Sequence, residues 1–128
     1  MNNTNNTKIV PFNWKYGEEM VSLHVNRYMD NDRLYIGMWN YEEDYPEPFC
    51  DMTVNLPGYR LDYDHAFING DLGSDLVEFI TEQGLGIICP EKGRSGYREY
   101  HLVKFNMEKL KEFDPKGVRN YLASMRVS

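Results

Sequence analysis

From Glu18 to Asp30 the chain alternates, with Met20, Ser22, His24, Asn26 and Tyr28 on one parity and Val21, Leu23, Val25 and Arg27 on the other. Successive side chains of a strand point to opposite faces, so this period of two predicts a half-buried β-strand. Asp30, Asn31 and Asp32 supply turn chemistry. Arg33–Tyr41 then returns, with Leu34, Ile36 and Met38 against Tyr35, Gly37 and Trp39, so the two runs predict a β-hairpin. Pro46 and Pro48 interrupt regular structure. Beyond them Cys50, Met52, Val54 and Leu56 share one face of a third strand, Phe49–Leu56, which Pro57 and Gly58 end. Ala66–Asn69 reads as a short fourth strand, followed by turn residues Asn69, Gly70, Asp71 and Gly73.

The period then becomes helical. Ser74 or Asp75 is the expected cap, Leu76, Val77, Phe79 and Ile80 form the apolar stripe, and Gly84 suits the left-handed terminus. Gly86–Cys89 predicts a short strand stopped by Pro90, and Tyr97–Asn106 a longer one. A turn of helix over Met107–Phe113 precedes Asp114-Pro115, a cap and first-turn pair that starts a closing helix. Val118, Tyr121, Leu122 and Met125 line that helix. The expected fold is α+β: a mainly antiparallel sheet of five or six strands packed against two or three helices. With 128 residues, a single domain over 11–128 is expected after a flexible tail over 1–10, whose Asn/Thr-rich start, Met1–Thr7, lacks the apolar groups to offset its ordering entropy.

Charge changes the picture more than composition does. The net charge is −6, and residues 1–89 hold 15 acids and 5 bases, whereas residues 90–128 hold 5 acids and 9 bases. Overall acidity argues against nonspecific binding to nucleic acid or anionic lipid. Glu42, Glu43, Asp44, Glu47 and Asp51 crowd one segment, interleaved with Tyr41, Tyr45 and Phe49. Such a run lies in water, as a solubilising loop or as a phosphate-mimicking surface for a basic partner. No apolar stretch reaches membrane-spanning length and no signal-peptide pattern opens the chain, so a cytoplasmic protein with no membrane partner is expected. Cys50 and Cys89 are then free thiols, expected as small core residues.

Catalytic spacing is missing. His24, His65 and His101 stand apart from each other and from the cysteines, with no Cys-x-x-Cys, Walker or nucleophile-elbow pattern, so no catalytic residue, no metal and no cofactor is expected. Asp62, Asp64 and His65 resemble paired carboxylates with a base, but lie in a run where Asp commonly makes turns. Glu91–Arg98 holds Arg94, Ser95, Gly96, Tyr97 and Arg98, a secondary loop that either cradles an anion or simply connects two strands.

Thr53-Val54-Asn55-Leu56-Pro57-Gly58-Tyr59, His65-Ala66-Phe67-Ile68, Gly84-Leu85-Gly86, Ser95-Gly96-Tyr97 and Leu102-Val103-Lys104-Phe105-Asn106 follow one another in an order that resembles an uncharacterised family. That family consists of small accessory proteins from plasmids and conjugative elements of Firmicutes and other gut bacteria. Its usual acidic-Thr-Asn-Asn run after Ile68 is replaced here by Asn69-Gly70-Asp71-Leu72. The resemblance implies a mobile-element setting. The leading expectation is a non-enzymatic protein-binding inhibitor of host defence, anti-CRISPR or antirestriction, that meets a defence nuclease or its nucleoprotein complex through Glu42, Glu43, Asp44, Tyr45 and Glu47. No direct sequence-specific nucleic-acid binding is expected, and the oligomeric state is left open. The alternatives are a structural or regulatory component of conjugative transfer, and a small enzyme using Cys89 and His101.

Overall fold

The structure, a computed structural model, describes residues 8–41 and 45–125. In chain order it forms strands β1 (Val10–Trp14), β2 (Gly17–Arg27), β3 (Leu34–Asn40), β4 (Glu47–Asp51), β5 (Thr53–Val54) and β6 (His65–Ile68). A 3-10 turn (Gly70–Leu72), helix α1 (Gly73–Gln83), strands β7 (Gly86–Ser95) and β8 (Arg98–Phe105), and helices α2 (Met107–Phe113) and α3 (Pro115–Met125) follow. The class is α+β as expected, but the strands divide into two antiparallel four-stranded sheets, ordered β1-β2-β3-β4 and β5-β6-β8-β7.

The expected β2–β3 hairpin forms, its register pairing Leu23 with Met38 and Val25 with Ile36. These residues are buried in the shared core with Phe12, Ile68, Phe79, Ile80, Val103 and Leu110, between the two sheets and the helices. A smaller cluster of Leu56, Phe67 and Leu102 lies on the other side of the second sheet.

Four predicted boundaries move. The expected tail over 1–10 overlaps β1, which Val10 opens; residues 1–7 are outside the described part. The third strand is broken at Met52, which is fully buried and belongs to neither half. Its N–H donates to Ile36 O (2.9 Å) and its carbonyl accepts from Asn69 N (2.8 Å), so one residue ties both sheets. Cys50 and Met52 therefore join the main core, whereas Val54 and Leu56 join the small one. Neither Ser74 nor Asp75 caps α1: Asn69 Oδ1 accepts from Asp71 N (2.9 Å) and caps the 3-10 turn that leads straight into the helix. Pro90 does not stop β7. The strand is at a sheet edge and its register slips between Ile88 and Lys92, which absorbs the missing donor.

Other signals hold. Gly84 adopts φ +67° at the end of α1 as expected, and α2 gains a cap the sequence reading did not name, Asn106 Oδ1 accepting from the amides of Glu108 (3.0 Å) and Lys109 (3.2 Å). Asp114 caps α3 through Gly117 N (3.0 Å), and its other oxygen accepts from Val25 N (2.8 Å), sealing β2 where β1 no longer pairs with it. The three longer edge strands each carry a proline: Pro11 in β1, Pro48 in β4 and Pro90 in β7. Proline removes a ladder donor, so these edges are poor templates for an added strand.

Candidate interaction surface

Alternation along β2 and β3 dictates the surface. With Leu23, Val25, Ile36 and Met38 inward, the opposite parity places His24 and Asn26 beside Tyr35, Gly37 and Trp39 on the outer face. Among the described residues the buried side chains of all three helices belong to the main core, and the rings of this outer face, His24, Tyr28, Tyr35, Trp39 and Tyr41, are half-buried.

Rings floor the face. The His24 and Trp39 rings stack with centroids 4.7 Å apart at 25°, and Tyr41 continues the row at 6.4 Å from His24, its hydroxyl 3.3 Å from Nε2. Tyr28 meets Tyr35 edge to face at 5.4 Å. Tyr35 Oη donates to Asp51 Oδ1 (2.6 Å), and Tyr28 Oη lies 2.9 Å from Thr53 Oγ1, which also accepts from Ile36 N (3.2 Å). These bonds fix ring orientation at low cost in mobility. Burial pushes the phenols of Tyr28, Tyr35 and Tyr41 above their ordinary range and pulls the His24 imidazole below its own, against an upward pull from Asp114. The floor is therefore neutral near pH 7, and Asp51 of β4 supplies a carboxylate beside it, whereas Glu47 pairs with Asn40 on the opposite parity.

The sequence-predicted residues distribute unevenly. Glu42, Glu43 and Asp44 lie outside the described residues. Tyr45 is exposed (79%), and Glu47 opens β4 and is exposed. The secondary loop is not an open loop: residues 91–95 extend β7, and Ser95 pairs with Arg98 across a tight turn in which Gly96 has φ +64°. Tyr97 projects fully into solvent at its tip. Its cations already have carboxylates, Arg98 with Asp71 (2.6 Å) and Arg94 and Lys92 with Glu99 (3.5 and 3.9 Å). Gly93 is explained by packing, since a Cβ there would stand 2.5 Å from the Phe67 ring.

The groups that suggested chemistry do not converge. Cys89 packs on the small cluster with Leu102, whereas His101, the preceding residue of β8, points the other way, toward Gly73 at the start of α1. Both cysteines are only partly buried; Cys50 packs against the main core, and burial pushes its thiol up to about 12. Asp62, Asp64 and His65 bring one ligand atom each within 4.8 Å of one another, but His65 Nδ1 is engaged by Asp64 (2.8 Å) and its backbone N–H by Asp62 O (3.0 Å), the bonding of a turn entering β6. Sequence reasoning assigned recognition to the acidic run and overlooked the ring row. The legible signal was aromatic residues recurring on the polar parity of the hairpin.

Fold and surface together define a small α+β protein of two antiparallel sheets, one of which carries a row of half-buried rings on its outer face. The family model described as Domain of unknown function (DUF4313) matches residues 22–125, from within β2 to the end of α3, and the chain belongs to that uncharacterised family. No curated protein and no solved structure matches the chain. No helix among the described residues is long and apolar enough to cross a membrane.

Proposed function

We propose that this protein is a non-enzymatic binding protein that docks onto a basic protein surface through the outer face of its first sheet. One observation carries the reading: a row of oriented, half-buried rings on the outer face of the first sheet, His24, Trp39 and Tyr41 with Tyr28 and Tyr35, beside the Asp51 carboxylate of β4. Trp and Tyr held in place by neighbours are the residues that concentrate binding energy at interfaces, and acids at the rim steer a basic partner. The proline in each longer edge strand favours docking by face over docking by strand addition. The partner this chemistry fits is the nucleic-acid channel of a host defence nuclease or its guide complex, and the setting is a mobile element in the bacterial cytoplasm. Support for that setting comes from the family resemblance and from the 15 acids against 5 bases over residues 1–89.

The test is co-purification from a bacterial host carrying restriction and CRISPR systems, followed by a nuclease-protection assay. Trp39→Ala should lose the captured nuclease and the protection, while Ile87→Ser, on the exposed far edge strand, keeps both. Capture that survives Trp39→Ala refutes the surface. Retrieval of transfer machinery refutes the defence partner and moves the protein to conjugation.

A further inference from the structure

A second surface lies around the C-terminal half of α3, assembled from segments far apart in sequence. Tyr121 Oη donates to Tyr63 O (2.6 Å), fixing the 60–63 segment against the helix. Burial pushes the Tyr121 phenol up to about 12, so it remains a donor. Three hollows adjoin. The first, about 600 Å³, is lined by Arg33, Arg60, Asp62 and Tyr63; the second, about 370 Å³, by Asn26, Arg27 and Asn120; the third, about 650 Å³, by Lys111, Arg119 and Leu122. The first and third share Tyr63 and Met125, and the first and second share Tyr121 and Ser124, so the hollows form one bent groove.

Its charge opposes that of the chain. Five cations line it, Arg27, Arg33, Arg60, Lys111 and Arg119, against the two acids Asp32 and Asp62, in a protein of net charge −6. Arg27 is paired with Asp32, and Lys111 with Glu108. Among the described residues Arg33, Arg60 and Arg119 have no carboxylate within 4.0 Å, and α3 itself carries no acid. Arg33 donates one N–H to Leu56 O (3.1 Å), and the rest of its fork, with the guanidinium groups of Arg60 and Arg119, is available to a carboxylate or phosphate.

We propose that this groove docks an extended acidic segment of a partner protein. Two features favour a peptide over a nucleic-acid strand. A phosphate chain presents an unbroken series of acceptors, which Asp62 in the wall repels, whereas a peptide offers carboxylates to the arginines and backbone N–H groups to Asp62. The third hollow also adds Leu122, Ala123 and the exposed Met125, a place for apolar side chains between the acids.

The experiment is fluorescence polarisation with a fluorescein-labelled peptide of about twelve residues repeating Asp-Ser-Leu, beside a Lys-Ser-Leu peptide and an oligo-dT of matched length. The Asp peptide alone should bind. Its affinity should fall about tenfold for the double variant Arg60→Glu, Arg119→Glu, less for Arg60→Gln, Arg119→Gln, and steadily with added salt. Ile87→Ser should bind as the parent does. No binding of the Asp peptide, binding insensitive to both arginine pairs, or tighter binding of oligo-dT overturns the proposal; the last would make the groove a single-strand site.

Discussion

Asp114 joins two elements, and replacing it tests how the helices are held to the first sheet. Its Oδ1 accepts from Gly117 N (3.0 Å), capping α3, and its Oδ2 accepts from Val25 N (2.8 Å), on a residue 5% exposed. Asp114→Ala removes a cap worth about 1 kcal/mol and leaves a buried amide without an acceptor, a further ~1–3 kcal/mol, so a loss of about 2–4 kcal/mol is expected. Asp114→Asn keeps a single acceptor oxygen and should lose about half of that. Gly117→Ala is the sharper member of the set. In an open helix this change gains about 1 kcal/mol, but here the new Cβ would stand 2.5 Å from Val25 O and closer still to the Asp114 carboxylate, so it should destabilise. Urea unfolding at constant m-value measures all three. An Asp114→Ala variant within about 0.5 kcal/mol of the parent, or a Gly117→Ala variant more stable than it, would refute this account of the junction.

The remaining predictions concern single groups. Ser22 is fully buried and its Oγ has no hydrogen-bond partner among the described residues, so Ser22→Ala should be neutral or stabilising by up to about 1 kcal/mol in the same assay. Burial holds the His24 pKa below its ordinary 6.5, so as pH falls the unfolded chain takes up this proton first. Stability should therefore decline as pH drops below 6.5 and level off beneath the folded-state value, and His24→Gln should remove that component from melting curves. Iodoacetamide should label Cys89 before Cys50, whose thiol burial pushes up to about 12; mass mapping showing Cys50 first would contradict the placement of the two residues.

Much of the fold was legible because local patterning governed it. The β2–β3 hairpin, the Gly84 terminus and the Asp114 cap, all expected from the sequence, depend on residues near one another in the chain. The division into two sheets was not legible, because it turns on Met52 sharing its N–H and carbonyl with Ile36 and Asn69, partners that pattern cannot name. Strand β1 was hidden by Pro11 and Asn13, and β7 by a proline that only an edge position tolerates. The parity of Tyr35 and Trp39 was readable, but whether a helix covers their face depends on where α1, α2 and α3 bury their stripes. The α3 groove was invisible for the same reason, since its arginines at 27, 33, 60 and 119 meet only in the fold.

Hydroxyl-radical footprinting of the protein alone and with its captured partner addresses the docking surface most directly, because Trp39, Tyr35 and Tyr41 report on their own exposure. The account predicts that these three rings become protected in the complex while Tyr97, at the tip of the β7–β8 hairpin, oxidises at an unchanged rate. Protection of Tyr97 with the three rings unchanged would contradict it.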